Sequence, residues 1–272
     1  MQRTDTVAAF RAALDAERVE RRRVGLVPTM GALHGGHRSL IERAVAECGA
    51  VAVTVFVNPL QFQAPRDLGS YPSDPAADAA LAEAAGARHL FAPHPGEMAT
   101  DRMRTRVRVH EVSEGLEGAA RPGHFEGVAT IVAKLFAIAG PCRAYFGEKD
   151  HQQLAVVRQL VEDLSFPVEV VACPTVRAAD GLALSSRNAR LSPEERAAAP
   201  VLYRALRAGA DRLSGGERDL AAVEAEVAAV VGAEPRARLD YAAVVGEGDG
   251  WRLHVAAWLG DNRLIDNLRV DP

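Results

Sequence analysis

The chain has 272 residues, enough for one large or two smaller domains with a substantial core. Its 32 basic and 36 acidic residues give a formal charge of -4, which argues against a nucleic-acid-binding protein. No apolar run approaches the roughly 20 residues that span a membrane, and the segment Met1 to Phe10 lacks the apolar core of a signal peptide. We therefore expect a cytoplasmic protein that binds neither nucleic acid nor membrane.

The three cysteines, Cys48, Cys142 and Cys173, lie singly in apolar segments without CxxC spacing. This pattern is typical of reduced core residues. Neither a disulfide framework nor a metal site is expected.

Short apolar strands alternate with helical segments over the first two thirds of the chain. Strands are predicted at Val24–Val27, Val51–Val57, His89–Ala92, Arg143–Phe146 and Val168–Cys173. Helices are predicted at Arg38–Cys48, Pro75–Ala85, Gly127–Ala139 and His151–Leu164. The alternation predicts an α/β fold, a Rossmann-like parallel sheet with helices on both faces. Ligands of such sheets bind beyond the carboxyl ends of the strands.

The remaining stretch predicts a smaller α+β domain. Ser192-Pro193-Glu194-Glu195 is a capping box that opens an alanine-rich helix, which Pro200 should kink or interrupt. A further helix at Leu220–Val231 is followed by three predicted strands, the last two joined as a hairpin through Gly260-Asp261-Asn262. Those strands are Leu239–Val245, Leu253–Trp258 and Arg263–Val270. The expected domains are residues 1–175 and 176–272.

Two histidines, His34 and His37, flank a glycine pair between the strand Val24–Val27 and the helix that follows it. A helix N-terminus presents unpaired backbone N–H groups, and glycines let an anion approach them. Histidines three residues apart converge on one side of the first turn, where imidazolium can donate hydrogen bonds to phosphate. The turn predicts a phosphate site. Zinc binding and a purely structural turn remain alternatives, although no third zinc ligand stands nearby.

Polar side chains also follow two other predicted strands. Asn58 and Gln61 come after the second strand, where their amides suit a carboxylate or hydroxyl. The turn Gly147–Asp150 carries Lys149, which can neutralise a phosphate, and Gln153 stands one helical turn further on. Taken alone, the first segment is better explained as a simple turn. The second is explained equally well as a capped helix that follows a solvated loop.

Two loops complete the candidate set. Asp180–Asn188 carries two serines and Arg187, groups that suit phosphate oxygens, in a glycine-containing loop at the predicted domain junction. Arg121–Gly127 precedes a helix and would line the crevice, but its Pro-Gly makes it a turn in any case. Each loop in isolation is ordinary sequence, and only the occurrence of these motifs together in one chain indicates a binding site.

These motifs, taken in order, resemble the pantothenate synthetase family, which belongs to a wider group of nucleotidyltransferases with an HxGH motif. The likeness spans nearly the whole chain. The matching blocks are PTMGALHGGH at Pro28–His37, FVNPLQF at Phe56–Phe62, RPGHFEGV at Arg121–Val128, FGEKDHQQL at Phe146–Leu154, DGLALSSRN at Asp180–Asn188 and AAWLGDNRLIDN at Ala256–Asn267.

The resemblance implies an ATP-dependent ligase that joins pantoate to β-alanine through a pantoyl adenylate, releasing AMP and pyrophosphate. It also implies Mg2+ bridging the ATP phosphates, a homodimer, and a second domain that covers the active site. No enzyme nucleophile is required, and the sequence offers no defensible Ser-His-Asp or Cys-His arrangement.

Carried over residue by residue, the resemblance implies three sets of site residues. Gln61 and Gln153 would hold pantoate, and Gln61 would also adjoin β-alanine. His34, His37, Lys149 and Arg187 would stabilise charge, with His37 the candidate acid. The ATP-binding residues would be Met30, Gly31, Ala32, Leu33, His34, Gly35, Gly36, His37, Gly147, Glu148, Lys149, Asp150, Val176, Leu184, Ser185, Ser186 and Arg187.

Two positions depart from the family pattern: Glu126 stands where arginine is familiar, and Leu184 where methionine is common. Glu126 reverses a charge near the crevice, whereas Leu184 preserves an apolar contact. Two other functions remain open. One is a nucleotidyltransferase that passes AMP to a phosphorylated acceptor and stops, and the other is a non-catalytic nucleotide sensor with a dimerising second domain. The neutral amides of Gln61 and Gln153 disfavour the phosphorylated acceptor.

Overall fold

The computed structural model describes residues 1–62, 68–69, 71–100 and 102–272. The chain divides into two compact units, Met1–Pro174 and Thr175–Pro272. Within the described ranges, no helix is both long enough and apolar enough to cross a membrane.

The first unit is built on a parallel sheet, whose described strands run in the order β1-β4-β3-β2-β5-β6. The strands are β1 (Gln2–Thr4), β2 (Val24–Thr29), β3 (Ala50–Val55), β4 (His89–Phe91), β5 (Cys142–Gly147) and β6 (Val168–Cys173). The predicted parallel sheet is confirmed, and β1 is the strand that the sequence pattern missed. At three residues, β1 is too short to show a periodicity.

Helices cover both faces of this sheet, as predicted. They are α1 (Val7–Val19), α2 (Gly35–Glu47), α3 (Pro75–Ala84), α4 (Pro95–Met98), α5 (Leu116–Ala120), α6 (His124–Ala139) and α7 (His151–Asp163). Successive strand residues point to opposite faces. Leu26 accordingly packs in the core with α1, α6 and α7, whereas Val27 packs in the core with α2 and α3.

Strand β2 lies at the point where the chain reverses its direction across the sheet. From β2 the chain adds β3 and β4 on one side, and β5 and β6 then follow on the other. The register pairs Gly25 of β2 with Arg143 of β5. A reversal of this kind opens a crevice at the carboxyl ends of the two central strands, which here are β2 and β5.

The second unit packs three helices against a three-stranded antiparallel sheet. Its elements are α8 (Pro193–Ala198), α9 (Val201–Ser214), α10 (Leu220–Gly232), β7 (Ala237–Glu247), β8 (Gly250–Leu259) and β9 (Asn262–Val270). The predicted capping box at Ser192 and Glu195 is present, and Pro200 separates α8 from α9 as expected. The predicted hairpin is confirmed too, since Leu259 pairs with Asn262 across the turn.

Candidate active site

The loops after β2, β3 and β5 carry the predicted site residues of the first unit. These strands are neighbours and parallel, so their carboxyl ends meet at one edge of the sheet. The loop after β2 contains His34 and His37, that after β3 contains Gln61, and that after β5 contains Lys149. The sheet thus brings to one edge side chains that are separated by more than 100 residues of sequence.

The two histidines cap the helix that they introduce. His34 is the N-cap of α2, where its Nδ1 accepts the Gly36 N–H at 3.1 Å. The Nδ1 of His37 accepts the His34 N–H at 3.3 Å, which completes a reciprocal capping box. A ring nitrogen that accepts an N–H carries no proton, so each neutral ring holds its proton on Nε2. Nε2–H is then the donor that each ring can offer to a ligand.

This geometry corrects the predicted use of the backbone in this turn. The prediction aimed backbone N–H groups at a bound anion, but five of them have acceptors within the protein. Those of His34 and Gly36 go to the imidazoles, that of Gly31 goes to Thr29 Oγ1, and two more go to a carboxylate described below. The prediction is wrong for these groups because the imidazoles and other side chains occupy them first. The Nε2–H groups of the two imidazoles are further donors at this turn.

The surroundings of the two histidines favour neutral imidazoles, a property that the sequence alone left open. Burial lowers the pKa of His34 to about 4, with the nearby Lys149 charge acting in the same direction. Burial lowers the pKa of His37 to about 3, aided by His34. The carboxylate of Asp150 opposes both shifts. The two rings are tilted by 40° with 4.1 Å between their centroids, and two charged imidazoles at that distance would repel each other.

The loop Gly147–Asp150 adjoins the histidine turn. It forms a short 3-10 helix at Glu148–Asp150 that leads directly into α7. Lys149 Nζ lies 3.8 Å from Asp150 Oδ1. Asp150 is the N-cap residue of α7, but its side chain makes no cap hydrogen bond. The Lys149 ammonium and the Asp150 carboxylate therefore lie near two neutral imidazoles.

Gln61 is oriented by its neighbours. Its Oε1 accepts a hydrogen bond from Asn58 Nδ2 at 3.1 Å, and its Nε2 lies 2.9 Å from Met30 Sδ. Asn58 is itself fixed, because its Oδ1 accepts the Leu60 N–H and its Nδ2 also donates to the Gly127 carbonyl. Both ends of the Gln61 amide therefore have a partner, since Oε1 accepts from Asn58 and Nε2 donates to Met30.

The Arg121–Gly127 segment, predicted only as a possible lining, meets Gln61 directly. Arg121 Nη2 lies 3.3 Å and His124 Nδ1 3.1 Å from the Gln61 carbonyl oxygen. Burial lowers the pKa of His124 to about 4, assisted by the Arg121 charge. A Cβ at Gly127 would collide with the Leu60 carbonyl, so the helix approaches this loop only because that residue is glycine.

Three further predicted residues have less defined surroundings. Gln153 is half-buried in the first turn of α7, after the lysine loop. Glu148 is half-buried in that loop. Glu126, the residue that departs from the family pattern, lies in the first turn of α6, and its carbonyl accepts the Thr130 hydroxyl.

In the second unit, the predicted ATP residues share one loop. Leu184 N–H donates to the Val176 carbonyl at 2.9 Å, so these two residues are paired across a narrow turn. Ser185 Oγ accepts the Arg187 N–H at 3.3 Å and caps the 3-10 helix Ser186–Arg190. Ser185 therefore caps a short helix that carries Ser186 and Arg187 in its first turn.

Sequence reasoning missed Asp78, a buried carboxylate in α3. Its Oδ1 accepts the Leu33 N–H at 2.7 Å and its Oδ2 the Ala32 N–H at 3.1 Å. The signal was present as one of two acids among alanines in the predicted helix Pro75–Ala85. Its partners lie more than 40 residues away in sequence, so no local pattern reveals them.

The described part of the chain contains no group of three His, Cys, Asp or Glu side chains arranged to hold a metal ion. The three cysteines are free, and two of them are buried.

A parallel sheet with a glycine-containing histidine turn and a lysine loop at its switch point defines the class of α/β proteins that bind ligands beyond the carboxyl ends of their strands. The comparisons with known proteins then give the particular family. The chain belongs to the pantoate–β-alanine ligase family, whose model matches residues 2–269.

Relatives agree over their full length. The pantothenate synthetase of Chloroflexus aurantiacus is 51% identical, with 98% of this chain and 97% of the relative covered. That of Pseudomonas putida is 50% identical, with 99% and 98% covered. Among solved structures, the Thermus thermophilus pantothenate synthetase matches with a TM-score of 0.94 at 50% identity, each chain covered completely.

A second solved structure carries ligands. The Francisella tularensis pantoate–β-alanine ligase, complexed with β-γ ATP and β-alanine, matches with a TM-score of 0.84 at 34% identity. The match covers 99% of this chain and 97% of that one. The chain is thus a ligase by family, sequence and fold.

Proposed function

We propose that this chain condenses pantoate with β-alanine in two steps, using ATP and releasing AMP and pyrophosphate. The observation that carries the proposal is the meeting of the histidine turn, the lysine loop and the Gln61 loop at one edge of the sheet. In the first step a pantoate carboxylate oxygen attacks the α-phosphorus of ATP and pyrophosphate leaves. In the second step the β-alanine amine attacks the activated carbonyl, AMP leaves, and the amine proton passes to solvent.

The residues of the first unit are proposed to act by position and charge. Lys149 neutralises phosphate charge, while His34 and His37 donate from Nε2 to oxygens of the α-phosphate region. His37 acts here as a neutral hydrogen-bond donor, since burial holds its pKa near 3. The rest of the turn Met30–His37 and the loop Gly147–Asp150 enclose ATP.

Gln61 and Gln153 are proposed to hold pantoate. The Asn58 bond occupies Gln61 Oε1 and leaves Nε2, which carries two protons, as the donor end of the amide; such a donor suits a carboxylate or hydroxyl acceptor. A neutral amide also leaves the attacking carboxylate its negative charge. Gln61 is further proposed to border the β-alanine site.

Mg2+ is proposed to enter as the ATP complex. Mg2+ usually keeps several waters and takes phosphate oxygens as ligands, which fits a described chain without a three-residue metal cluster. When bound, the ion would neutralise charge on the phosphates and the pyrophosphate leaving group.

Residues of the second unit are also proposed to bind ATP. Val176 and Leu184 would pack on the nucleoside, while Ser185, Ser186 and Arg187 would contact phosphate oxygens. Hydroxyl and guanidinium groups suit such oxygens, which supports this role.

We further propose that the chain works in the cytoplasm as a homodimer. Three free cysteines fit a reducing compartment. Light scattering coupled to size exclusion would test the assembly, because a molar mass near 58 kDa, twice the 29.0 kDa of one chain, is expected.

Product analysis separates this function from its two alternatives. Purified protein is incubated with ATP, pantoate and β-alanine, and pantothenate and AMP are quantified by mass spectrometry, with each substrate omitted in turn. Equal amounts of pantothenate and AMP are expected. An adenylylated acceptor without pantothenate would identify a simple nucleotidyltransferase, and bound but unconsumed ATP would identify a sensor.

A further inference from the structure

Asp78 holds the turn that precedes the histidines. Its carboxylate is 3% exposed, and its two oxygens accept the N–H groups of consecutive residues, Ala32 and Leu33. A buried carboxylate is costly unless its oxygens are hydrogen-bonded, and a buried N–H is costly without an acceptor. The carboxylate therefore needs the two N–H groups as donors, and the N–H groups need the carboxylate as acceptor.

The turn is built around that carboxylate. Gly31 has φ +84 and Ala32 has φ +49, two consecutive residues in the left-handed region. A Cβ at Gly31 would lie 2.8 Å from Asp78 Oδ2, so glycine is what allows the carboxylate to approach. Ala32 adopts a conformation that a non-glycine residue rarely takes. The two hydrogen bonds to Asp78 offset the cost of this conformation.

We infer that Asp78 is a positioning residue for the ATP-binding turn. By fixing residues 31–33 it sets where α2 begins, and hence where His34 and His37 present Nε2–H. Because both of its oxygens already accept hydrogen bonds from the turn, its action on ATP is indirect. This inference rests on the proposed role of Met30–His37 in ATP binding.

The main test is Asp78→Asn, which keeps the shape but replaces one acceptor by an N–H2 group facing a backbone N–H. KM for ATP should rise about tenfold or more and kcat should fall, the equivalent of one lost charge-assisted bond. KM for β-alanine, measured at saturating ATP and pantoate, should change less than about twofold, within the spread of a neutral surface change.

The matched control is Asp74→Ala in the same helix. Asp74 is exposed and caps α3 through the Ala77 N–H at 2.9 Å, without touching the turn. Loss of this cap should lower the melting temperature while leaving KM for ATP unchanged. If Asp78→Asn lowers only the melting temperature, or if both variants raise KM for ATP equally, the positioning role is overturned.

A second variant covers the case in which Asp78→Asn does not fold. Asp78→Ser keeps one acceptor and leaves room for a water molecule to take the second N–H, and it should raise KM for ATP in the same way. An unchanged KM for ATP in this variant overturns the inference. The wild-type chain separates the two proposals: if it makes no pantothenate the proposed function fails, and if it does, only the role of Asp78 is in question.

Discussion

The two ring nitrogens of His34 have different roles. Nδ1 caps α2, and Nε2–H remains for a ligand. A substitution can separate these roles, because asparagine places Oδ1 near the position of Nδ1 and has no group at the position of Nε2. The same division applies to His37, whose Nδ1 accepts the His34 N–H.

His34→Asn should therefore keep the stability of the fold and lose activity. Turnover should fall by roughly a hundredfold or more, as when one transition-state donor is removed. His34→Ala should lose a similar factor in turnover and also about 1 kcal/mol of unfolding free energy, because the cap is gone. Steady-state kinetics and urea unfolding of both variants check this. Near-normal turnover in His34→Asn would remove Nε2 from the catalytic groups.

The lowered histidine pKa values predict acid lability. Folded His34 and His37 titrate near pH 4 and 3, whereas an unfolded histidine titrates near 6.5. Between these values the unfolded chain binds more protons, so the unfolding free energy is complete above about pH 6.5 and decreases as the pH falls below it. Urea unfolding at about pH 7.5 and about pH 5 should show a loss on the order of 1 kcal/mol for each histidine.

The control for this pH dependence is His37→Asn, which retains the capping acceptor but cannot titrate. Its unfolding free energy should fall less between the two pH values than that of the wild type. An identical loss in both proteins would show that His37 is not a source of the effect.

At the scale of elements, contacts with other parts of the chain determine where α6 begins. The sequence predicted α6 to begin at Gly127, but it begins at His124 and carries Gly127 inside it, against the Leu60 carbonyl. Glycine in a helix is normally unfavourable. The glycine is explained by the close approach of Leu60, which lies in the loop after β3.

The C-terminus of α6 offers an element-scale prediction. Arg18 of α1 donates to the carbonyls of Ala139 and, at 3.2 Å, Pro141, where α6 leaves carbonyls unpaired. Arg18→Ala should lower the unfolding free energy by about 1–2 kcal/mol. Arg11→Ala removes one exposed 3.4 Å bond to Ala137 and should cost less than about 0.5 kcal/mol. Equal urea midpoints for the two variants would contradict the capping role.

For the whole molecule, the sequence predicted what depends on local pattern. Alternating residues such as Leu26 and Val27 indicated strands with two buried faces, and the capping box at Ser192 indicated a helix start. It could not predict contacts made across the sheet. Asp78 looks like a solvent-facing acid until the fold brings Ala32 to it. The sequence likewise does not show that the Nδ1 atoms of both histidines accept backbone N–H groups at the start of α2.

In the proposed reaction, pantoyl adenylate forms at this edge of the sheet before β-alanine takes part. Exchange of labelled pyrophosphate into ATP measures that half-reaction by itself. We predict exchange that requires pantoate and proceeds in the absence of β-alanine. Exchange that is independent of pantoate, or that appears only when β-alanine is added, would contradict the account.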